Sequence, residues 1–167
     1  MGDLIRFTVG PRRGLVRGTP AISWYERGVA LERTDVPGAM FAYRRALAGR
    51  PDLADAHNNL GRLHHDRGEL ADAEACYRLA ACADGRVAMY WFNLGVVVED
   101  RGREAEAIAA YERAVELDAG CADAHYNLAR LYEMTARRAG DDVTYRRAIR
   151  HLARYRAITR APIVGRS

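Results

Sequence analysis

The chain reads as an all-α solenoid of four stacked helical hairpins, and three observations predict it. First, Asn59, Asn93 and Asn127 stand 34 residues apart, each inside one local phrase: His57-Asn58-Asn59-Leu60-Gly61, Trp91-Phe92-Asn93-Leu94-Gly95 and His125-Tyr126-Asn127-Leu128-Ala129. Second, a small–aromatic–small series follows at the same period: Ala39-Tyr43-Ala46, Ala73-Tyr77-Ala80 and Ala107-Tyr111-Ala114. Third, apolar residues within each phrase recur at helical spacing. A fixed period of about 20–50 residues marks a stack of like units rather than one mixed fold.

The bulk numbers agree. The chain has 167 residues, 49% of them hydrophobic and 29% charged, which suits a folded domain with a continuous core and excludes a disordered chain. No apolar run approaches the ~20 residues of a membrane span. The first 20 residues show no leader-like pattern, so a cytoplasmic location is expected. Cys76, Cys82 and Cys121 fall in no paired metal spacing and read as free thiols, small fillers of the core.

Three regions are expected: an extension over residues 1–20, a repeat domain over 21–160 and a tail over 161–167. The extension contains Leu4-Ile5-Arg6-Phe7-Thr8-Val9, suited to a short strand or a tether. The repeats fall at about 21–53, 54–87, 88–121 and 122–160. The first helix of each carries a core stripe at i, i+3, i+4, i+7: Trp24, Arg27, Gly28, Leu31; His57, Leu60, Gly61, His64; Trp91, Leu94, Gly95, Val98; and His125, Leu128, Ala129, Tyr132. Gly28, Gly61 and Gly95 allow the paired helix to approach closely, with the tyrosine filling the gap. Thr34-Asp35, Arg67-Gly68 and Arg101-Gly102 mark the turns. Asp35 and Asp52 are candidate N-caps, and Asp55 reinforces a first turn. In repeat four, residues 137–144 read as a longer loop, followed by a helix over about 145–159.

These motifs resemble the tetratricopeptide repeat family as found in bacterial proteins. Trp91-x2-Leu94-Gly95 and Ala107-x3-Tyr111-x2-Ala114 carry the resemblance at the family's spacing. It implies a right-handed superhelix whose first helices line a concave groove. Pattern departures are Arg27 at an apolar position and Gly85 and Ala119 where proline is common.

A second stripe lies about 150° from the core stripe on each first helix. In repeat two it holds Asp55, Asn58, Asn59, Arg62, His65 and Asp66; in repeat three, Met89, Phe92, Asn93, Val96, Glu99 and Asp100; in repeat four, Asp123, Tyr126, Asn127, Arg130, Glu133 and Met134. These are the candidate groove residues, polar at the rims and apolar near Phe92 and Val96, a mixture suited to a peptide with a few apolar anchors. A primary amide matches the donor and acceptor of a peptide unit. The three period-34 asparagines therefore read as a ladder for an extended partner segment, or as amides that bond neighbouring helices. Spacing alone does not choose. Some family members grip a terminal carboxylate with Lys and Asn; here Arg62 and Arg130 are the only groove cations, flanked by Asp66 and Glu133, which argues against that clamp.

Catalysis and cofactors are not expected. Ser23 and Ser167 are the only serines, and no phosphate loop, nucleophile motif or metal-ligand spacing occurs. His57, His64 and His65 lack a full tetrahedral ligand set and read as packed histidines. The chain carries +4 overall, unevenly. Residues 34–136 hold eleven arginines against seventeen acids, a net −6, and residues 137–167 hold nine against two, a net +7. Arg146, Arg147, Arg150 and Arg154 form a candidate anion-binding stripe on the last helix. The expected function is a non-catalytic protein–protein interaction scaffold. The alternative is a regulatory module of a transcription-related system, touching nucleic acid or an acidic partner through that helix; otherwise the helix is a polar cap.

Overall fold

A computed structural model describes residues 20–160, and every regular element among them is helical. The eight helices are α1 (Pro20–Leu31), α2 (Val36–Gly49), α3 (Ala54–Asp66), α4 (Leu70–Ala83), α5 (Ala88–Asp100), α6 (Glu104–Leu117), α7 (Ala122–Ala139) and α8 (Asp142–Arg160). They form four hairpins, α1 with α2 through α7 with α8. Each hairpin stacks on the next by its second helix: α2 on α3, α4 on α5 and α6 on α7. The segment around Leu4–Val9 and the tail lie outside the described residues.

The turns follow their chemistry. Gly68 and Gly102 adopt φ of 74° and 76°, a left-handed geometry that an L side chain resists, at equivalent places in repeats two and three. Repeat one is one residue shorter between Gly28 and Tyr43, its first helix ends early at Leu31, and residues 32–35 connect it to α2 without a glycine. Instead Asp35 caps α2, its Oδ1 accepting the Gly38 N–H at 2.9 Å, with Pro37 in the first turn.

Two local expectations need correction. Asp52 does not cap α3; Leu53 holds the N-cap position without a side-chain bond, and Asp52 is exposed beside Arg50 at 3.6 Å. Residues 137–144 are not a long loop. Helix α7 continues to Ala139 and α8 begins at Asp142. The Ala-Arg-Arg-Ala run favours helix, Gly140 ends it at φ 64°, and Asp141 caps α8 by accepting the Val143 N–H at 2.9 Å. The extra residues of repeat four thus become additional helical turns.

The hairpins close on the small residues. An added Cβ at Gly28 or Gly95 would lie 2.6 Å from the ring of Tyr43 or Tyr111, and one at Gly61 3.0 Å from Tyr77. Close approach to a fully buried ring offsets the ~1 kcal/mol that a helical glycine costs. The rings four residues before these small positions do a second task. His57 Nε2 lies 2.8 Å from the Pro51 carbonyl, Trp91 Nε1 donates to Gly85 O at 2.9 Å, and His125 Nε2 lies 3.3 Å from Ala119 O. Each ring N–H thus ties its helix to the loop from the preceding repeat, at the very positions where proline is common in the family. A ring donor staples that loop whether or not proline stiffens it.

The last hairpin carries a histidine pair. His125 Nε2 donates to a carbonyl, so its Nδ1 is the acceptor and His151 Nδ1, 2.9 Å away, is the donor. Tyr132 stacks on His151, and Glu112, Arg147, Arg150, Arg154 and Asp118 act on the pair electrostatically. Burial holds both imidazoles below the usual 6.5. The neutral rings are therefore favoured by folding. Their contribution is full above 6.5 and is lost as pH falls through and below that value, because the unfolded chain takes up the protons first. Thermal melts at pH 7.5 and 5.0 are expected to show a steeper loss for the wild type than for His151→Gln.

Candidate functional site

The first helices are more enclosed than a two-stripe helix would be. Each interior one lies against its own second helix and against both neighbouring hairpins. Consequently the expected groove stripe divides. Asp55, Asn58, Asn59, Phe92, Asn93, Val96 and Asn127 are buried. Arg62, His65, Met89, Glu99, Asp123, Arg130, Glu133 and Met134 are half-buried, while Asp66, Asp100 and Tyr126 are exposed. Phe92 and Val96 belong to the core, Phe92 with its ring 5.7 Å from that of Tyr111. The sequence pattern missed this because the third neighbour of each helix comes from the adjacent repeat.

The buried amides are engaged within the scaffold. Asn59 Nδ2 donates to Tyr43 Oη at 3.2 Å, and Tyr43 Oη donates to Glu32 Oε1 at 2.6 Å. Arg62 completes the group, 2.6 Å from Glu32 Oε2. Two repeats on, the arrangement recurs. Asn127 bonds the Tyr111 hydroxyl, that hydroxyl donates to Glu99 Oε2 at 3.1 Å, and Arg130 pairs with Glu99. Burial and the facing carboxylates raise the pKa of both phenols, so they remain protonated donors.

The middle junction departs from this scheme. His65 stands where Glu32 and Glu99 stand, and Val96 replaces Arg62 and Arg130. Asn93 Nδ2 turns to Asn58 Oδ1 at 2.9 Å, and His65 Nε2 pairs with Asp100 at 2.7 Å. Tyr77 Oη and His65 Nδ1 are left buried without a hydrogen-bond partner among the described residues. Asp55, also buried, accepts from Tyr90 Oη across the same junction.

What remains accessible falls into separate clefts. Met89, Phe92, Asn93 and Asp123 line one of about 540 Å³ between the N-terminal halves of α5 and α7, with Asp118 and Cys121 at its edge. Arg62 and Asp66 line another of about 610 Å³ with Glu32 and Arg33. Tyr126, Arg130 and Glu133 lie in a third, against α8. In the first cleft burial raises the Asp123 carboxyl pKa, and Asp123 has no ion pair among the described residues.

Other chemistry-bearing groups serve the scaffold. His64 Nδ1 lies 2.6 Å from Glu69 Oε2, bridging the end of α3 to the start of α4, with Asp72 nearby and Arg67 also on Glu69. Cys76, Cys82 and Cys121 are free thiols; Cys76 and Cys121 are half-buried, as fillers would be, whereas Cys82 is exposed and is not one, and burial pushes Cys76 up to about 11, far from a ready thiolate. The sequence reading overlooked Glu74. It is buried on α4 and pairs with Arg78, Arg101 and Arg103, joining its helix to the turn after α5. No helix among the described residues is long and apolar enough to cross a membrane.

A stack of like hairpins with tyrosine-filled seams defines a helical-repeat protein. Comparison with known families names the kind: a tetratricopeptide repeat model matches residues 29–87, and a TPR repeat model matches residues 100–135. The chain belongs to the tetratricopeptide repeat family. Among solved structures it is similar to MamA protein, at 24% identity and a TM-score of 0.73, over 86% of this chain and 75% of that one. MamA from Desulfovibrio magneticus RS-1 is similar at 19% identity and a TM-score of 0.71, covering 85% and 77%. The first TPR domain of Spaghetti (RPAP3), bound to the HSP90 peptide SRMEEVD, is similar at 20% identity and a TM-score of 0.66, covering 70% and 93%. Among curated proteins no significant match was found.

Proposed function

We propose that the chain is a non-catalytic protein–protein interaction scaffold that holds a partner segment on its inner wall. The observation that carries this reading is the cleft between α5 and α7. It combines an apolar floor, from Met89 and Phe92, with the carboxylate of Asp123, which has no ion pair among the described residues, and the neighbouring Asp118. An apolar anchor flanked by a basic group suits such a site, and the net −6 of residues 34–136 favours the same sign. The likeness to a TPR domain that holds a peptide supports the use of this kind of surface. On this reading Asn59, Asn93 and Asn127 shape the wall by fixing adjacent hairpins, and the partner reads the half-buried residues between them.

Affinity capture with wild type beside Met89→Asp and Asp123→Lys tests the reading. A partner retained by wild type and depleted about tenfold or more by both variants, with near-unchanged melting, is the expected result. Retention of the same proteins by both variants would contradict it.

A further inference from the structure

We propose that the last described hairpin, α7 with α8, is a seat for an acidic amphipathic helix of a partner protein. The inference is independent of the α5–α7 cleft. At each interior junction the next first helix closes over a tyrosine of the preceding second helix, and Tyr43, Tyr77 and Tyr111 are 0%, 0% and 1% exposed. On α8, which no later helix covers among the described residues, Tyr145 and Ile149 are 43% and 53% exposed, Ile149 being the eighth residue of its helix as those tyrosines are of theirs. The first helices show the same contrast. Asn58 and Phe92 are buried, while Tyr126, the next in that series, is 48% exposed. A cavity of about 200 Å³ lies between Tyr126, Ala129, Tyr145, Ile149 and Leu152. Among the described residues no further helix covers this surface as the next hairpin covers each interior junction, and an amphipathic helix is a shape that fits it.

Charge selects the occupant. All eleven arginines from Arg50 to Arg138 pair with a carboxylate. On α8, Arg146, Arg147, Arg150, Arg154, Arg156 and Arg160 have no such pair among the described residues, although Arg147 lies over the Tyr132 ring at 5.8 Å. A second copy offering its α1 would bring one basic end against another, since residues 1–33 hold six arginines against three acids. Nucleic acid would answer the arginines and leave Tyr145 and Ile149 uncovered. A helix with an apolar stripe and glutamates beside it answers both.

Fluorescence anisotropy tests this with two labelled synthetic peptides, each about five helical turns long. Both carry the same leucine stripe, one with glutamate and the other with lysine at the flanking positions. Wild type is expected to bind the glutamate peptide at least about tenfold more tightly than the lysine peptide. Ile149→Asp and Arg150→Glu are each expected to weaken it by about tenfold, and Met89→Asp to leave it unchanged. Both positions on α8 are exposed, so the variants are expected to keep their helices, which circular dichroism checks. The proposal is overturned by absent binding, by equal affinity for the two peptides, or by binding that survives Ile149→Asp. It is equally overturned if duplex DNA binds more tightly than the glutamate peptide, or if sedimentation shows self-association that Ile149→Asp abolishes.

Discussion

Replacing Arg101 and Arg103 together with methionine is expected to lower stability by about 3–5 kcal/mol, the range for removing the partners of a buried charge. Glu74 is 1% exposed, whereas Arg78, Arg101 and Arg103 are each between 35% and 48% exposed. The asymmetry decides which side of the cluster matters more. Without Arg101 and Arg103, the Glu74 carboxylate stays buried with Arg78 alone. Without Glu74, the guanidiniums turn to water and to Glu106, which Arg78 and Arg103 already approach at 3.2 and 3.4 Å. Glu74→Gln should therefore cost less, roughly 1–3 kcal/mol, mostly from unsatisfied donors and acceptors. Urea denaturation of the three proteins measures this. A Glu74→Gln loss equal to or above that of the double arginine variant would show that the cluster is not governed by burial of the carboxylate.

The second large effect concerns the amides. Asn59→Ala, Asn93→Ala and Asn127→Ala each leave a buried partner group with one bond fewer, at about 1–3 kcal/mol apiece. Asn58 bonds both Asn59, at 3.4 Å, and Asn93, at 2.9 Å, so those two losses are coupled, and the simple sum of roughly 3–9 kcal/mol is an upper bound for the triple variant. Helix content at low temperature should persist, because the helices owe little to these side chains. Capture of the partner by the folded triple variant then separates two roles. Binding retained at low temperature assigns the amides to the wall; binding lost with the fold intact assigns them to the ligand.

Much of the architecture was legible because helix packing imposes a period on side-chain size. Gly28, Gly61 and Gly95 opposite Tyr43, Tyr77 and Tyr111 fix both the hairpins and their spacing. Asp35 with Pro37 was legible as a cap because the cap is local. The destination of each amide was not. Asn59 finds Tyr43 sixteen residues away and Asn93 finds Asn58 thirty-five residues away; those partners exist only once hairpins stack. Enclosure by a neighbouring repeat likewise moved Phe92 and Val96 from wall to core. Glu74 did leave a trace. Met40 and Ile108 occupy its place in the flanking repeats, so an acid at an apolar register announces a buried partner set. His65 and Val96 are a similar trace, substituting together where their counterparts are an acid and an arginine.

The junction scheme is tested most directly by solvent exchange of the side-chain amide protons of Asn59, Asn93 and Asn127, followed by nuclear magnetic resonance on the isolated chain. All three are expected to exchange much more slowly than a free primary amide, with Asn59 and Asn127 losing protection when Tyr43 and Tyr111 are replaced by Phe. Exchange of all three at the free-amide rate would mean that they face solvent, and that the hairpins are joined in some other way.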